Sequence, residues 1–259
     1  QAQKGYHLWL DYSSFADSDL LKGHELGYYF DTDDPIVHSA TKEFQKAVFE
    51  LTNQRAIAQT KEKAEWIFIS KSTNENIRKE GFYLHRNDSQ IIVEAKDAKG
   101  LLYGTFKLIN LIQRGENLKE LDLLSNPKIA LRMLNHWDNL DRTVERGYAG
   151  NSIFDWHTLP KYINPRYLDY ARANASIGIN SVSLTNVNAN AQALAPAYLQ
   201  KVKALADTFR PYGIRVFLTA RFSAPIEIGG LTTADPLNEN VTKWWKEKAV
   251  EIYSLIPDF

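Results

Sequence analysis

The stretch NPRYLDYARANASIGINSVSLTNVN, residues 164–188, decides the fold predicted for the second half of this sequence. Asn164 can cap a helix, and Pro165 suits the first helical position because the amide hydrogen that proline lacks has no partner there. The helical spacing continues to Gly178, a residue type common at helix ends. Residues 179–184 then form a short apolar run that predicts a buried strand. The stretch therefore predicts a helix followed directly by a strand.

The same alternation continues on both sides of this stretch. Alternating strands and helices imply a parallel sheet with helical crossovers, which closes either as an open doubly wound sheet or as a barrel. No GxGxxG or P-loop signature follows any of the strands, so a nucleotide-binding fold lacks its usual support. The predicted strands are 131–134, 179–184 and 215–219, and the predicted helices are 164–177, 196–210 and 240–255.

The fold class predicted for the whole chain is α/β. Residues 126–259 predict the first three βα units of a (β/α)8 TIM barrel, because a complete barrel takes about 250 residues. The turn-like stretch LSNP at 124–127 marks the boundary with a preceding domain. Residues 1–125 predict a small α+β accessory domain. Its predicted strands are 6–10, 65–70, 81–86 and 90–95, and its predicted helices are 38–53 and 100–113.

The composition argues against several classes of function. The 31 Lys and Arg residues balance the 31 Asp and Glu residues, so the basic excess typical of nucleic-acid-binding proteins is missing. No apolar run reaches the roughly 18 residues of a membrane span. The absence of cysteine excludes disulfides, thiolate metal sites and cysteine nucleophiles. His136 and His157 lack metal-ligand spacing, so we expect no metal, no nucleic-acid partner and no membrane segment.

The first residues of the sequence bear on its compartment. Residues 1–4 are polar and lack the apolar core of a signal peptide. We therefore expect that a signal was removed or never existed. Glutamine at position 1 fits a cleaved signal, which favours the periplasm or the extracellular space, with the cytoplasm as the alternative.

Polar residues follow each predicted strand of the second domain. In a parallel α/β barrel the carboxyl ends of the strands carry the ligand-binding residues. Carboxylates, amides, a tryptophan and arginines suit a polyhydroxylated ligand, and arginine can bind a carboxylate through two parallel N–H bonds. The strand-end residues are His136, Trp137, Asp138 and Asn139, then Thr185, Asn186 and Asn188, then Arg221 and Ser223, with Asp141, Glu145, Arg146 and Tyr148 in the first loop.

Several of these residues also have a purely structural interpretation. Trp137 can close the top of a barrel, Asp138 can form a turn, and Glu145 with Arg146 can be a surface ion pair. A glycosidase acid–base couple needs two carboxyls about 5–9.5 Å apart. Asp138, Asp141 and Glu145 supply enough carboxyls, but their spacing along the chain leaves open whether any two face each other.

The stretch RMLNHWDNLDRTVERGYAG, residues 132–150, resembles the opening of the barrel in the α-glucuronidases of glycoside hydrolase family 67. HWDN followed by ERGYAG is a specific combination. The resemblance covers all of 126–259 and extends more weakly to the accessory domain. Further similar stretches are TNVNA (185–189), FSAPIEIGGLTTADPL (222–237) and WWKEKAVEIYSLIPDF (244–259), with a weaker likeness at GFYLHR (81–86) and GLLYGTFKLINLI (100–112).

The resemblance implies an activity. Enzymes of this family remove α-1,2-linked glucuronic acid, or its 4-O-methyl form, from xylo-oligosaccharides, with inversion at the anomeric carbon and without a metal or cofactor. Their catalytic acid and base lie on later strands of the barrel, beyond Phe259. The resemblance therefore assigns no catalytic residue to this chain and implies that the chain alone is inactive. It implies a glucuronoxylo-oligosaccharide as substrate and a homodimer for the full-length protein.

The resemblance also implies which residues contact the sugar. Arg142 stands where the family has a small residue, and Arg221 stands where it has asparagine. An arginine at a strand end can supply a cationic partner for a uronate. The implied substrate-binding residues are Trp137 and Val187 as apolar walls, Asp138, Asn139 and Glu145 as partners of sugar hydroxyls, and Arg146 as a partner of the uronate carboxylate or a brace for Glu145.

Two other functions fit the sequence. One is a non-catalytic carbohydrate-binding module in which residues 1–125 bind the sugar, since the chain is rich in aromatic residues and this part lacks catalytic signatures. The other is a barrel glycosidase of different specificity, such as a hexosaminidase, whose accessory domain looks similar.

Overall fold

The computed structural model describes residues 8–12, 21, 26–87 and 89–259. These residues form two compact units. The first comprises the described residues up to Ala130 together with Ala173–Gly178, and the second comprises Leu131–Arg172 and Ile179–Phe259. The domain boundary proposed after residue 125 stays a prediction. No helix among the described residues is long and apolar enough to cross a membrane.

The first unit is built on a six-stranded mixed sheet. Its strands are β1 (Gly27–Phe30), β2 (Ile57–Ala58), β3 (Trp66–Ile69), β4 (Phe82–Arg86), β5 (Ile91–Ala95) and β6 (Asp122–Ser125). Their order is β2-β1-β3-β5-β4-β6. The first four strands of this order pair in parallel, and β4 is antiparallel to both of its neighbours. Parallel pairing therefore dominates the sheet, in a mixed α/β architecture.

Two helices of this unit contact each other, and their ends follow from capping residues. Helix α1 (Pro35–Thr52) begins after Asp34, whose carboxylate accepts a hydrogen bond from the Ile36 amide at 2.8 Å. Helix α2 (Ala98–Gln113) begins after Asp97, whose carboxylate accepts one from the Gly100 amide at 2.9 Å. The predicted helices 38–53 and 100–113 are confirmed, and each begins two or three residues earlier than predicted.

Helix α2 packs closely on the sheet because two of its positions are glycine. A Cβ at Gly100 would lie 2.2 Å from the Gly81 carbonyl oxygen, and one at Gly104 would lie 2.8 Å from Val93 Cγ1. Most of α2 is buried, as are alternate residues of β4 and β5. The close approach explains why the GLLYG motif belongs to the core of the unit.

The strand predicted at residues 6–10 is wrong for the part that the structure describes. Leu8–Leu10 form a 3-10 turn, and Tyr6 and His7 lie outside the described residues. A strand needs a neighbouring strand to satisfy its backbone, and none of the described strands pairs with this segment. Burial of Leu10, rather than sheet pairing, accounts for the apolar pattern.

The second unit contains three parallel strands joined by helices. The strands are β7 (Met133–Asn135), β8 (Ser181–Ser183) and β9 (Arg215–Phe217), in that spatial order. The helices are α3 (Pro165–Ser176), whose last residues belong to the first unit, α4 (Pro196–Phe209), α5 (Ala224–Glu227) and α6 (Glu239–Leu255). Each of the three strands and three long helices overlaps its predicted range, and α5 was not predicted.

An ion-pair cluster attaches the last residues of the chain to the end of α4. The Arg210 guanidinium donates to both carboxylate oxygens of Asp258, at 3.0 and 2.8 Å, and to Asp207 at 2.5 Å. Hydrogen bonding from Arg210 lowers the pKa of Asp258. A bidentate arginine–carboxylate contact is the strongest geometry for such a pair.

Replacing Gly104 with alanine is expected to destabilise the first unit. Alanine favours helix over glycine by about 1 kcal/mol, but overlap with buried Val93 costs roughly 1–3 kcal/mol and outweighs that gain. Thermal melting should show a lower midpoint for Gly104→Ala. In a Val93→Ala background the same substitution should lower the melting midpoint by less, because the obstructing methyl groups are gone. An equal decrease of the midpoint in the two backgrounds would contradict this explanation.

The Arg210–Asp258 pair is expected to contribute stability that depends on pH. Because the folded-state pKa of Asp258 is lowered, the contribution is fully present above the unfolded value of about 3.9 and is lost progressively as the pH falls from there through the lower folded-state pKa. Asp258→Asn should lower the melting temperature at pH 7 by up to roughly 3 °C and by less at pH 3. The control is Asp33→Asn, which removes an exposed carboxylate. It should leave the melting temperature unchanged at both pH values.

Candidate functional site

The candidate site lies at the carboxyl ends of the three parallel strands of the second unit. The His136 amide donates to the Ser183 carbonyl at 3.0 Å, and the Leu184 amide donates to the Phe217 carbonyl at 3.0 Å. The pairing of β7 with β8 and of β8 with β9 thus continues into the loops that follow. Polar loops at this end of a parallel sheet are the usual location of ligand sites in α/β folds.

The loop after β7 folds back on itself as an irregular hairpin. Isolated bridges connect Asp138 with Val144 and Thr143 with Asn151. The Glu145 amide donates to the Trp137 carbonyl at 2.8 Å. Backbone hydrogen bonds therefore place Glu145 beside Trp137, although seven residues separate them in the chain.

Asp138 is the buried centre of this loop. Its side chain is only 3% exposed and accepts a short hydrogen bond from the Ser152 hydroxyl. The Nδ1 atom of His136 lies 3.5 Å from the same carboxylate oxygen. The Asp138 carbonyl also accepts from the Asn186 amide at 2.9 Å. Asp138 thus connects the ends of β7 and β8 with the far side of the loop.

His136 continues this network toward α3. Its Nε2 atom lies 2.7 Å from the Tyr170 hydroxyl, so both ring nitrogens have polar neighbours. The sequence indicated His136 and Asp138 as strand-end residues but did not predict the contact of His136 with Tyr170 or that of Asp138 with Ser152. Tyr170 lies 34 positions after His136 and Ser152 lies 14 positions after Asp138, spacings that no local pattern reveals.

Asn139 braces the same loop. Its amide nitrogen donates to the Thr143 hydroxyl at 2.9 Å and to the Glu145 carbonyl at 2.8 Å. Both donor hydrogens of the amide are therefore used within the hairpin. The side-chain carbonyl oxygen of Asn139 is left to accept a hydrogen bond from a ligand, since its backbone carbonyl already accepts one from the Arg142 amide.

The remaining predicted sugar contacts are open to solvent. Trp137 is 40% exposed and Val187 is 52% exposed. The Asn186 side-chain amide donates to the Trp137 carbonyl at 3.4 Å, which brings the residue before Val187 to the same strand end. Within the described part of the chain, the side chains of Glu145 and Arg146 have no hydrogen bond and no ion pair. Arg146 therefore does not brace Glu145.

Both unexpected arginines are already paired. Arg142 donates to Asp155 at 3.0 Å, and its backbone is left-handed with a φ of +74°. Arg221 lies 2.9 Å from Glu227. Local carboxylates thus neutralise both cations, and Arg146 is the arginine of the first loop whose charge is not compensated by a described neighbour.

Two carboxyls of this loop are held by local hydrogen bonds. The Thr143 hydroxyl donates to Asp141 at 2.6 Å and, as the largest cause, lowers the pKa of that carboxyl. A lowered pKa makes Asp141 a poor general acid, since efficient acids titrate near the working pH. Asp138 is buried and hydrogen-bonded. Across the described residues there is also no group of three or more His, Asp and Glu side chains that could hold a metal ion.

Family models match most of the sequence. Residues 8–108 match the model described as "Glycosyl hydrolase family 67 N-terminus", and residues 111–259 match the model described as "Glycosyl hydrolase family 67 middle domain". The two matches meet at residues 108–111, within helix α2, whereas the two compact units divide after Ala130.

The curated relatives that this chain resembles are named as alpha-glucuronidases. "Alpha-glucuronidase A" of Emericella nidulans is 40% identical over 184 residues, which is 69% of this chain and 22% of the relative. "Alpha-glucuronidase" of Hypocrea jecorina is 36% identical over 189 residues, or 71% of this chain and 22% of the relative. The chain thus spans about a fifth of the length of these relatives.

Solved structures share the fold at low sequence identity. A GH138 enzyme targeting pectin rhamnogalacturonan II matches with a TM-score of 0.63 at 16% identity, covering 90% of this chain and 29% of that one. A mutant Streptomyces plicatus beta-hexosaminidase matches with a TM-score of 0.60 at 10% identity, covering 91% and 54%. A family GH115 4-O-methyl-alpha-glucuronidase matches with a TM-score of 0.59 at 13% identity, covering 90% and 34%.

The left-handed backbone at Arg142 leads to a prediction about stability. Arg142→Ala and Arg142→Gly both remove the Asp155 ion pair, but only glycine relieves the φ of +74°, which costs about 1 kcal/mol for other residues. Arg142→Gly should therefore be more stable than Arg142→Ala by roughly 1 kcal/mol in urea unfolding. At Arg146, where φ is not positive, the order should reverse. The same order at both positions would refute the strain argument.

Proposed function

Because this chain belongs to glycosyl hydrolase family 67, we propose that it forms part of an α-glucuronidase acting on glucuronoxylo-oligosaccharides. The proposed reaction is the hydrolysis, with inversion, of α-1,2-linked glucuronic acid or its 4-O-methyl form. The observation that carries this proposal is the pair of family matches, which together cover both units. The names of the relatives at 36–40% identity support it.

The proposal includes the finer fold of the second unit. We interpret β7, β8 and β9 as the first three strands of a (β/α)8 barrel. Their spatial order equals their order in the chain, as in a barrel, whereas a doubly wound sheet reverses its order at a switch point. Helices α3 and α4 supply the two crossovers that parallel neighbours need.

Within this proposal the exposed residues of the strand ends contact the sugar. Trp137 and Val187 form apolar walls, and Glu145 binds sugar hydroxyls. Arg146 binds the uronate carboxylate, since a guanidinium offers two parallel N–H donors to a carboxylate. Arg146 suits this role because none of the described carboxylates forms an ion pair with its guanidinium.

Asp138 and Asn139 serve the same site mainly by holding the loop. The Asp138 carboxylate accepts from Ser152, and the Asn139 amide donates to Thr143 and to the Glu145 carbonyl. These bonds fix the backbone that follows Trp137. The side-chain carbonyl oxygen of Asn139 remains available to accept from a sugar hydroxyl.

The chemistry of inversion requires groups that we place elsewhere in the full-length enzyme. One carboxylic acid protonates the leaving oxygen while a carboxylate base, about 6.5–9.5 Å away, activates water on the opposite face of the sugar. We place both on later strands, in the part of the relatives that this chain does not cover. The residues described here bind the uronate and orient it.

Two other functions find less support. A non-catalytic carbohydrate-binding module is not favoured, because the relatives are named as α-glucuronidases. The likeness to a beta-hexosaminidase rests on 10% identity and concerns the fold alone.

The uronate role of Arg146 is tested by titrating the 259-residue chain with aldotetraouronic acid and with neutral xylotetraose. Binding is followed at the indole N–H signal of Trp137. A charge-assisted hydrogen bond is worth about 1.5–3 kcal/mol, so Arg146→Gln should weaken binding of the acidic ligand by roughly tenfold or more. Binding of xylotetraose should be unchanged.

The matched control is Arg166→Gln, at an exposed arginine of α3. It should leave both titrations unaltered. If Arg146→Gln binds the acidic ligand with unchanged affinity, Arg146 does not bind the uronate carboxylate. Measurable release of glucuronic acid by this chain alone would contradict the placement of acid and base on later strands.

A further inference from the structure

The edge of the first unit carries a cleft between helix α1 and the start of β2. Its volume is about 450 Å³, within the range of sites that hold small ligands. None of its residues belongs to the strand-end site described above. It is lined by Lys42, Gln45, Lys46, Phe49, Arg55 and Ala56.

The charged groups of this cleft are mostly uncompensated. Lys46 lies 3.8 Å from Glu50, its neighbour one turn along the helix. Lys42 and Arg55 are exposed and have no carboxylate within ion-pair distance among the described residues. The cleft therefore presents two cations whose charge is available to an anionic ligand.

The cleft also offers an apolar surface and a neutral hydrogen-bonding group. Phe49 is 49% exposed, so one side of the cleft is aromatic. The Gln45 amide nitrogen donates to the Tyr28 hydroxyl at 2.7 Å, which orients the side chain. Its carbonyl oxygen has no hydrogen bond among the described residues and can accept from a hydroxyl.

A second, more open cleft adjoins the other end of β2. Its volume is about 890 Å³, and it is lined by Tyr29, Ala58 and residues 59–63. Lys61 and Lys63 are exposed there, with one carboxylate, Glu62. Arg55 and Lys61 thus flank a two-residue strand, and at about 3.3 Å per residue they are at most about 20 Å apart.

We propose that this edge, formed by the two clefts and β2, is a second binding site for a uronate-bearing xylan chain. Arg55 and Lys42 bind the uronate carboxylate, Phe49 supports the apolar face of a sugar ring, and the second cleft receives neighbouring sugars. The choice of ligand rests on the proposed function of the enzyme. The site binds the polymer and takes no part in bond cleavage.

The residue types favour an acidic sugar over other polyanions. A nucleic acid would call for a larger basic excess, and the chain has equal numbers of acidic and basic residues. A ring, an amide acceptor and a guanidinium match the face, hydroxyls and carboxylate of a uronic acid. For a polymer with several uronates, a second site raises the effective concentration of substrate at the first.

The test is an NMR titration of the 259-residue chain with aldotetraouronic acid, read at the backbone amides of Arg55 and Lys61. We expect saturable shifts at both amides. The double variant Lys42→Gln/Arg55→Gln should weaken this binding by roughly tenfold, and Phe49→Ala should weaken it as well. The matched control for the charges is Lys243→Gln/Arg166→Gln. The matched control for the aromatic group is Tyr253→Ala, whose ring is 54% exposed. Neither control should change the affinity for aldotetraouronic acid.

Specificity separates a sugar site from general charge attraction. Neutral xylotetraose should bind at this edge more weakly than aldotetraouronic acid, and polyglutamate of matched charge should also bind more weakly. Equal shifts with polyglutamate, or no shift at Arg55 and Lys61 with the acidic sugar, would overturn the proposal.

The two proposals fail separately. Trp137→Ala should remove binding at the strand ends while the signals of Arg55 and Lys61 still shift. Loss of the Arg55 and Lys61 shifts in Trp137→Ala would show that there is no second site. If the NMR signal of Trp137 shifts in the wild-type chain but that of Arg55 does not, the proposed function is supported and the second site is refuted.

Discussion

The hydrogen bonding of one buried carboxylate, Asp138, underlies the arrangement of the candidate site. A buried carboxylate is costly unless polar groups surround it, and Ser152 and His136 provide them. Because Ser152 comes from the far side of the loop and Asn186 binds the Asp138 carbonyl, this single residue connects two strand ends. Trp137 is consequently held at the surface instead of packing into the core.

Local pairing decides which cations are left for a ligand. Arg142 and Arg221 look equally suited to a uronate in the sequence, but Asp155 and Glu227 neutralise them. Arg146 differs because the turn that precedes it, with Glu145 in a left-handed conformation, leaves it exposed. The same reasoning applies at the sheet edge. Lys46 is paired with Glu50, whereas Lys42 and Arg55 have no carboxylate within ion-pair distance among the described residues.

Much of the fold could be predicted because its signals are local. Helical spacing predicted α1 and α2, and Asn164, Pro165 and Gly178 predicted α3. Helices α4 and α6 were predicted as well, but the four-residue α5 was not. The short strands β1, β2 and β6 were also missed, whereas strands of similar length within longer apolar runs were predicted. Residues 6–10 show the converse error, since an apolar segment can be buried without a strand partner. Of the candidate site, the sequence predicted the strand-end positions but not which polar groups already have partners.

The sequence by itself determined the alternation of strands and helices, the lack of cysteine chemistry and the family, because these depend on residue type and near neighbours. Only the tertiary structure decided that Asp138 is buried, that Arg142 and Arg221 are paired and that Arg146 is open. It also showed that residues 42–56 enclose a basic cleft. The burial of Asp138 depends on Ser152 and Asn186, which lie further along the chain. The arginine pairs and the cleft depend on how a loop or a helix end bends, and the pattern of residue types reveals neither.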